Sequence, residues 1–204
     1  MLNRGIALGI TGASGALYGL RLLECLLAAG EDIYLTISDP GRMVLGMEAN
    51  VKLPSRPTEV RDLLSARYAA QPDQLRVFGL QDWAAPLASG SNAPRAMVVC
   101  PCTSGTLASI AAGHSRNLIE RAADVILKEG RKLILVPRET PFSPIHLENM
   151  LRLAKLGVVI LPASPGFYHN PTQISELVDF IVARVLDQLQ VEHHLLARWG
   201  AARG

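Results

Sequence analysis

The stretch Ile6-Ala7-Leu8-Gly9-Ile10-Thr11-Gly12-Ala13-Ser14-Gly15-Ala16 decides the fold. Ile6, Leu8 and Ile10 alternate with small residues, as in a buried strand. Gly9, Gly12 and Gly15 recur at three-residue spacing and mark a tight turn. Leu17, Leu20, Leu23, Leu26 and Leu27 then recur at helical spacing, and Gly30 stops the helix. Glycines let a turn bring its amides close to a ligand, and a helix N-terminus offers unpaired N–H groups at a positive dipole end. An anion such as a phosphate is the expected occupant. A plain strand-to-helix turn would use the same residues without a ligand.

Outward from this unit the pattern repeats. Asp32–Ile37 reads as a second strand ending at Ser38, with Asp39-Pro40-Gly41 as a turn and Arg42–Glu48 as a helix. Thr58–Ala70 fits a helix capped by Thr58, and Leu75–Phe78 a short strand. The stretch 82–94 is irregular, and a loop of that length usually covers something or works. Ala96–Cys100 is an apolar strand, followed by Leu107–Ala112 and by a helix over Asn117–Glu129 with Ser115 as its cap. Leu133–Val136 is a strand, Pro144–Leu156 a helix, and Val158–Leu161 the last core strand. A Pro/Gly-rich loop over 162–171 precedes a final helix capped by Thr172 and running to about Leu189. Strands that are continuous apolar runs, alternating with helices, predict an α/β fold: a three-layer, doubly wound, mainly parallel sheet of the Rossmann-like or flavodoxin-like kind.

The totals agree. The chain has 204 residues, the size of one domain with a full core. Only 19% of residues are charged and mean hydropathy is +0.23, apolar for this size. Both sheet faces must be covered, and further surface is expected to be buried between subunits. A net charge of +2 with scattered basic residues argues against a nucleic-acid partner. No stretch is long enough to span a membrane. Cys25, Cys100 and Cys102 are odd in number and lack disulfide spacing, which suggests a reducing, cytoplasmic compartment. Cys100-Pro101-Cys102 lacks the second pair of ligands that a zinc site needs, so no metal is expected.

In a doubly wound sheet, ligands bind beyond the carboxyl ends of the strands. Here those ends carry Thr11–Ser14, Ser38, Cys102–Thr106, Arg138-Glu139 and Pro165–Tyr168. Hydroxyls, glycines and an Arg-Glu pair on one edge suit a phosphorylated ligand. Thr11-Gly12-Ala13-Ser14-Gly15 is similar to the opening of short-chain dehydrogenases, and Asp39 leaves NAD open. The tyrosine with a lysine four residues later, on which those enzymes rely, is absent. Tyr18, Tyr34, Tyr68 and Tyr168 are followed at that spacing by Leu22, Ser38, Pro72 and Thr172.

The whole ordered set resembles the UbiX-type flavin prenyltransferases. It comprises Thr11–Ala16, Ser38, the Glu48 helix, Ser89-Gly90-Ser91, Pro101-Cys102-Thr103, Leu118–Val125, Lys128, Arg138-Glu139-Thr140-Pro141, Phe167-Tyr168-His169 and Arg198-Trp199. The resemblance runs from about residue 5 to Trp199. One departure is Ala49, where many members carry threonine. The resemblance implies a single flavin-binding domain over 1–204, with helix and tail 172–204 closing the site. It implies transfer of the dimethylallyl group of dimethylallyl phosphate to N5 and C6 of reduced FMN, without a metal. The prenylated FMN would serve a UbiD-type decarboxylase, usually in ubiquinone synthesis, and the enzyme would be a dodecamer.

It also implies roles. FMN would be held by Gly12, Ala13, Ser14, Ser38, Thr103, Ser104, Gly105, Thr106 and Arg138. Tyr168 and Arg184 would contact the prenyl phosphate, with Lys128, Ser89, Gly90 and Arg121 beside them. Trp83 and Trp199 would wall the prenyl site. The chemistry fits: loss of phosphate from an allylic carbon builds negative charge that cations and hydroxyls must hold, and positive charge that π-faces stabilise. Ser14 and Glu139 are the expected proton relay, with Glu48 and Lys128 as further catalytic candidates. Plainer roles compete. Ser14 would cap a helix, Glu139 would pair with Arg138, Lys128 would be a solvated helix end, and His169, Cys100 and Cys102 would be packing residues. Arg184, among apolar neighbours, calls for a partner of opposite charge. Two other activities stay open. One is a flavin-dependent decarboxylase of a cysteine-containing substrate, although its helix histidine and Asn motif are not recognisable. The other is a non-enzymatic flavin carrier.

Overall fold

The computed structural model describes residues 5–196. Arg198 and Trp199 lie outside that span. The first unit forms as its sequence requires: β1 (Ile6–Ile10) is buried throughout, and α1 (Ala16–Ala28) presents Leu20, Leu22, Leu23, Leu26 and Leu27 inward. Then come β2 (Ile33–Ile37), α2 (Asp39–Ala49), α3 (Pro57–Tyr68), β3 (Leu75–Phe78) and two 3₁₀ turns, Pro86–Ala88 and Gly90–Asn92. The second half is β4 (Ala96–Cys102), α4 (Ser104–Ala111), α5 (Leu118–Lys128), β5 (Lys132–Pro137), α6 (Pro144–Lys155), β6 (Val159–Ile160) and α7 (Ile174–Leu189).

The strands form one sheet in the order β3-β2-β1-β4-β5-β6. Every pair is parallel, so the sheet is wholly rather than mainly so. Two cores flank it. Ile6, Leu8, Ile10, Ile33 and Leu35 face the leucines of α1, with α3 and α7 beside it. Ala7, Met97, Val99, Leu133 and Leu135 face the other way, onto α4 and α5. The period-two alternation of each strand thus feeds both layers. Chain order reverses between β1 and β4, which makes their carboxyl ends the expected crevice.

Several boundaries differ from expectation, and capping chemistry explains them. Asp39-Pro40-Gly41 is the first turn of α2 rather than a separate turn, because Ser38 takes the Gly41 N–H and proline suits a first turn. Asn117, not Ser115, caps α5. Thr58 lies inside α3, whose N-cap is Arg56. Thr172 precedes the cap of α7, where the Glu176 carboxylate accepts the N–H groups of Thr172 and Gln173. β4 runs on through Cys102, while the last strand shrinks to Val159–Ile160.

Candidate active site

The carboxyl ends of β1 and β2 are packed too tightly for side chains. A Cβ on Gly12 would overlap the Pro40 ring, and one on Gly41 would lie 2.7 Å from the Ile10 carbonyl oxygen. Gly15 has φ +112, which L side chains rarely adopt. The close approach of α2 to the turn therefore demands glycine at positions 12 and 41. Pro40-Gly41, passed over in the sequence as a plain turn, shapes that approach.

The α1 N-terminus already holds an anion, and it belongs to the chain. Glu48 Oε2 accepts the N–H of Gly15 at 2.8 Å and of Ala16 at 2.9 Å. Burial alone would raise the Glu48 pKa. The hydrogen bond from Ser14, those two amides and the charge of Arg138 outweigh it and hold the carboxyl below its ordinary value. The phosphate expected at this terminus has a carboxylate in its place.

The α4 N-terminus is different. Thr103 caps it by accepting the Thr106 N–H at 3.0 Å, and the two hydroxyls meet at 2.9 Å. The Ser104 and Gly105 amides have no acceptor within the helix. Space beside Gly105 is open, since a Cβ there would approach only Thr103 Oγ1, at 4.0 Å. This terminus, on the same sheet edge as Ser38 and Arg138, offers amides that could hold a phosphate.

After β5, Arg138 Nε donates to the Ser14 carbonyl at 3.1 Å. Glu139 turns the other way: Oε2 accepts the Ser104 hydroxyl at 3.3 Å and Oε1 the Thr140 N–H at 3.3 Å. The relay read as Ser14 with Glu139 thus resolves into two hydroxyl–carboxylate pairs, Ser14 with Glu48 and Ser104 with Glu139. Glu139 does not simply pair with Arg138. Ser14 is not the helix cap, which is Gly15 without a side-chain bond of its own.

Tyr168 lies on the loop before α7, edge-on to Phe180 at 5.7 Å. His169 stacks on the same ring at 5.6 Å, and neither of its buried ring nitrogens has a hydrogen-bond partner. Arg184 follows Phe180 by one helical turn and carries the opposite charge expected of it, Asp187, at 2.6 Å. Tyr168 thus packs on a residue one turn from Arg184, and α7 lies on the α1 side of the sheet.

The remaining candidates lie elsewhere. Lys128 ends α5 and pairs with Glu129, and a Cβ on Gly90 would overlap that carboxylate. Ser89 meets Ser91 at 3.0 Å, and Arg121 ties Ala88 and Asp124 together. Lys128 lies at the amino end of β5, whereas Arg138 lies at its carboxyl end. Six residues of strand, about 20 Å, separate those edges. The Lys128 cluster also sits on the α5 layer, across the sheet from Tyr168 and Arg184. Trp83 is 47% exposed, on the connection between β3 and the Pro86–Ala88 turn. Within one copy, then, the expected site splits in two.

Burial pushes the Cys100 thiol up and the Cys102 thiol to about 12, so both stay protonated packing residues at neutral pH. No group of three metal-ligating side chains occurs among the described residues. No helix there is long and apolar enough to cross a membrane.

Comparison with known proteins identifies the family. The Flavoprotein family model covers residues 1–186. The flavin prenyltransferase UbiX of Pseudomonas aeruginosa is 55% identical over 96% of this chain and 93% of its own. That of Halalkalibacterium halodurans is 48% identical over 96% and 93%. Among solved structures, AnUbiX (PadA1) in complex with FMN and dimethylallyl pyrophosphate superposes with a TM-score of 0.86 at 37% identity, covering 98% of this chain and 100% of that one. A dodecameric FMN-dependent UbiX-like decarboxylase from Escherichia coli O157:H7 gives 0.83 at 40% identity, covering 97% and 100%. A PPC decarboxylase mutant, 14% identical with a TM-score of 0.61 over 93% and 100%, shares the fold alone. The chain belongs to the Flavoprotein family and, within it, to the UbiX flavin prenyltransferases.

Proposed function

We propose that this flavin prenyltransferase moves the dimethylallyl group of dimethylallyl phosphate onto N5 and C6 of reduced FMN, with Ser14, Glu48, Ser104, Arg138 and Glu139 as its machinery. The observation that carries the reading is the meeting of two hydroxyl–carboxylate pairs and one guanidinium at the β1/β4 crevice. Gly12, Ala13, Ser14, Ser38 and the 103–106 segment would hold FMN, its phosphate at the open α4 N-terminus. Reduced FMN, when bound, supplies the ring that accepts the prenyl group.

The chain's own groups then have definable tasks. Arg138 faces the crevice as a fixed positive charge and ties the Ser14 turn in place. Glu139, bonded to Ser104 rather than neutralised by Arg138, is available to accept a proton through that hydroxyl. Glu48, kept ionised, orients Ser14. The reading needs no metal: cations and hydroxyls would hold the departing phosphate.

The split of the candidates favours an assembly. Tyr168 and Arg184 from one copy would meet Lys128, Arg121 and Ser89-Gly90 from another, completing a phosphate-binding site that a lone chain lacks. Exposed Met43, Met47, Ile145, Leu151 and Leu156 supply apolar surface for such contacts. The dodecamer of the Escherichia coli relative is the model for it. On this reading the protein would act in the cytoplasm and hand its product to a UbiD-type decarboxylase. Phosphate release on mixing the anaerobic protein with reduced FMN and dimethylallyl phosphate tests the reading. Release that requires both compounds is expected; release without flavin, or none, would reject it.

A further inference from the structure

At the β1/β4 crevice, β4 contains a proline. Pro101 has no N–H to give the ladder, and the paired register of β1 with β4 ends at Gly9 and Val99. Beyond that point one side chain takes over. Thr11 is 3% exposed, and its hydroxyl uses both of its capacities. Oγ1 donates to the Pro101 carbonyl at 2.8 Å and accepts the Thr103 N–H at 2.8 Å. The Thr11 N–H reaches the same Pro101 carbonyl at 3.2 Å. Two of the three hydrogen bonds that join the strand ends thus pass through the Thr11 hydroxyl.

What this link joins matters. Thr11 immediately precedes the Gly12–Ser14 turn, and Thr103 is the cap of α4. We infer that Thr11 is a positioning residue: its buried hydroxyl sets the spacing between the Gly12–Ser14 turn and the Thr103–Thr106 helix start, so that both grip one FMN molecule. The inference rests on the flavin reading of this crevice. Valine has the same shape as threonine but no hydroxyl. At position 11 it would leave the half-buried Thr103 N–H without its acceptor, free to shift the α4 terminus. Serine would keep the link.

The test compares Thr11→Val and Thr11→Ser. FMN affinity is read by flavin fluorescence, thermal unfolding is read without flavin, and exchange of the Thr103 amide is read in the wild type. Thr11→Val should weaken FMN binding about tenfold, the loss of one hydrogen bond's worth of positioning, and Thr11→Ser should restore it. The Thr103 amide should be protected in the flavin-free wild type. Wild-type affinity in Thr11→Val would overturn the inference, as would equal losses in both variants, which would mean that the methyl group packs and the hydroxyl does nothing. If Thr11→Val does not fold, rapid exchange at Thr103 or weak FMN binding by Thr11→Ser would overturn it. A wild type that binds no FMN at all would reject the flavin reading itself, and this inference with it.

Discussion

Glu48 Oε2 takes the Gly15 N–H at 2.8 Å, so a carboxylate at the end of α2 plugs the first turn of α1. The glycine turn is held from outside as well as by its own glycines. Glu48→Ala should cost about 1 kcal/mol, as loss of a helix cap does. For a chain of this size that lowers Tm by about 2–4 °C. Glu48→Gln should show the pH dependence. The Glu48 pKa is depressed on folding, so the wild type's advantage over the variant is complete above the ordinary carboxylate pKa. It is lost as pH falls through the lower folded value. Thermal unfolding from neutral to acid pH checks this; a gap that widens in acid would contradict it.

Glu139 is bonded to the Ser104 hydroxyl and to the Thr140 N–H, whereas the proposed phosphate contacts at the α4 terminus are backbone amides. Glu139→Gln should therefore leave FMN affinity within about threefold while prenyl transfer slows by about a hundredfold, a typical loss for a proton-transfer group. Parallel loss of both would remove Glu139 from the chemistry.

Gly12 has no room for a methyl group, because a Cβ would overlap Pro40. Gly12→Ala should push the turn out of the crevice. FMN affinity should fall about tenfold or more, since a displaced amide forfeits its hydrogen bond. Flavin fluorescence titration reads this directly, and unchanged affinity would show that the turn does not touch flavin.

Lys128 and Arg184 lie on opposite layers of one copy. If the phosphate site forms between copies, Lys128→Ala and Arg184→Ala should each be inactive alone. Assemblies mixed from the two should recover activity, because some interfaces then carry both wild-type residues. No recovery in verified mixed assemblies would place the residues in separate roles.

The fold was legible where hydrophobic period and glycine position speak together. β1 and β3 have the bounds read from Ile6–Ile10 and Leu75–Phe78, and the alternating elements predicted the parallel sheet. Helix starts were less legible, because they turn on which hydroxyl or amide side chain reaches a backbone N–H. The reading placed the cap at Ser115, whereas the Asn117 side chain is the one that accepts the Glu120 N–H, with Leu118 and Ile119 buried just after it. The site was readable as a set of residues at strand ends. Its internal pairing was not, because Glu48 and Ser14 come from different units, and their meeting depends on how α2 leans on the Gly12 turn. Lys128 shows the remaining limit: motif order groups a residue with a site but cannot say from which copy it would reach it.

The most direct measurement is the mass of the flavin. The protein would be incubated anaerobically with reduced FMN and dimethylallyl phosphate, and the flavin released and weighed by mass spectrometry. The account predicts a flavin heavier by one prenyl unit, absent when either partner is omitted. FMN recovered unchanged from protein that bound it, with no phosphate released, would contradict the account.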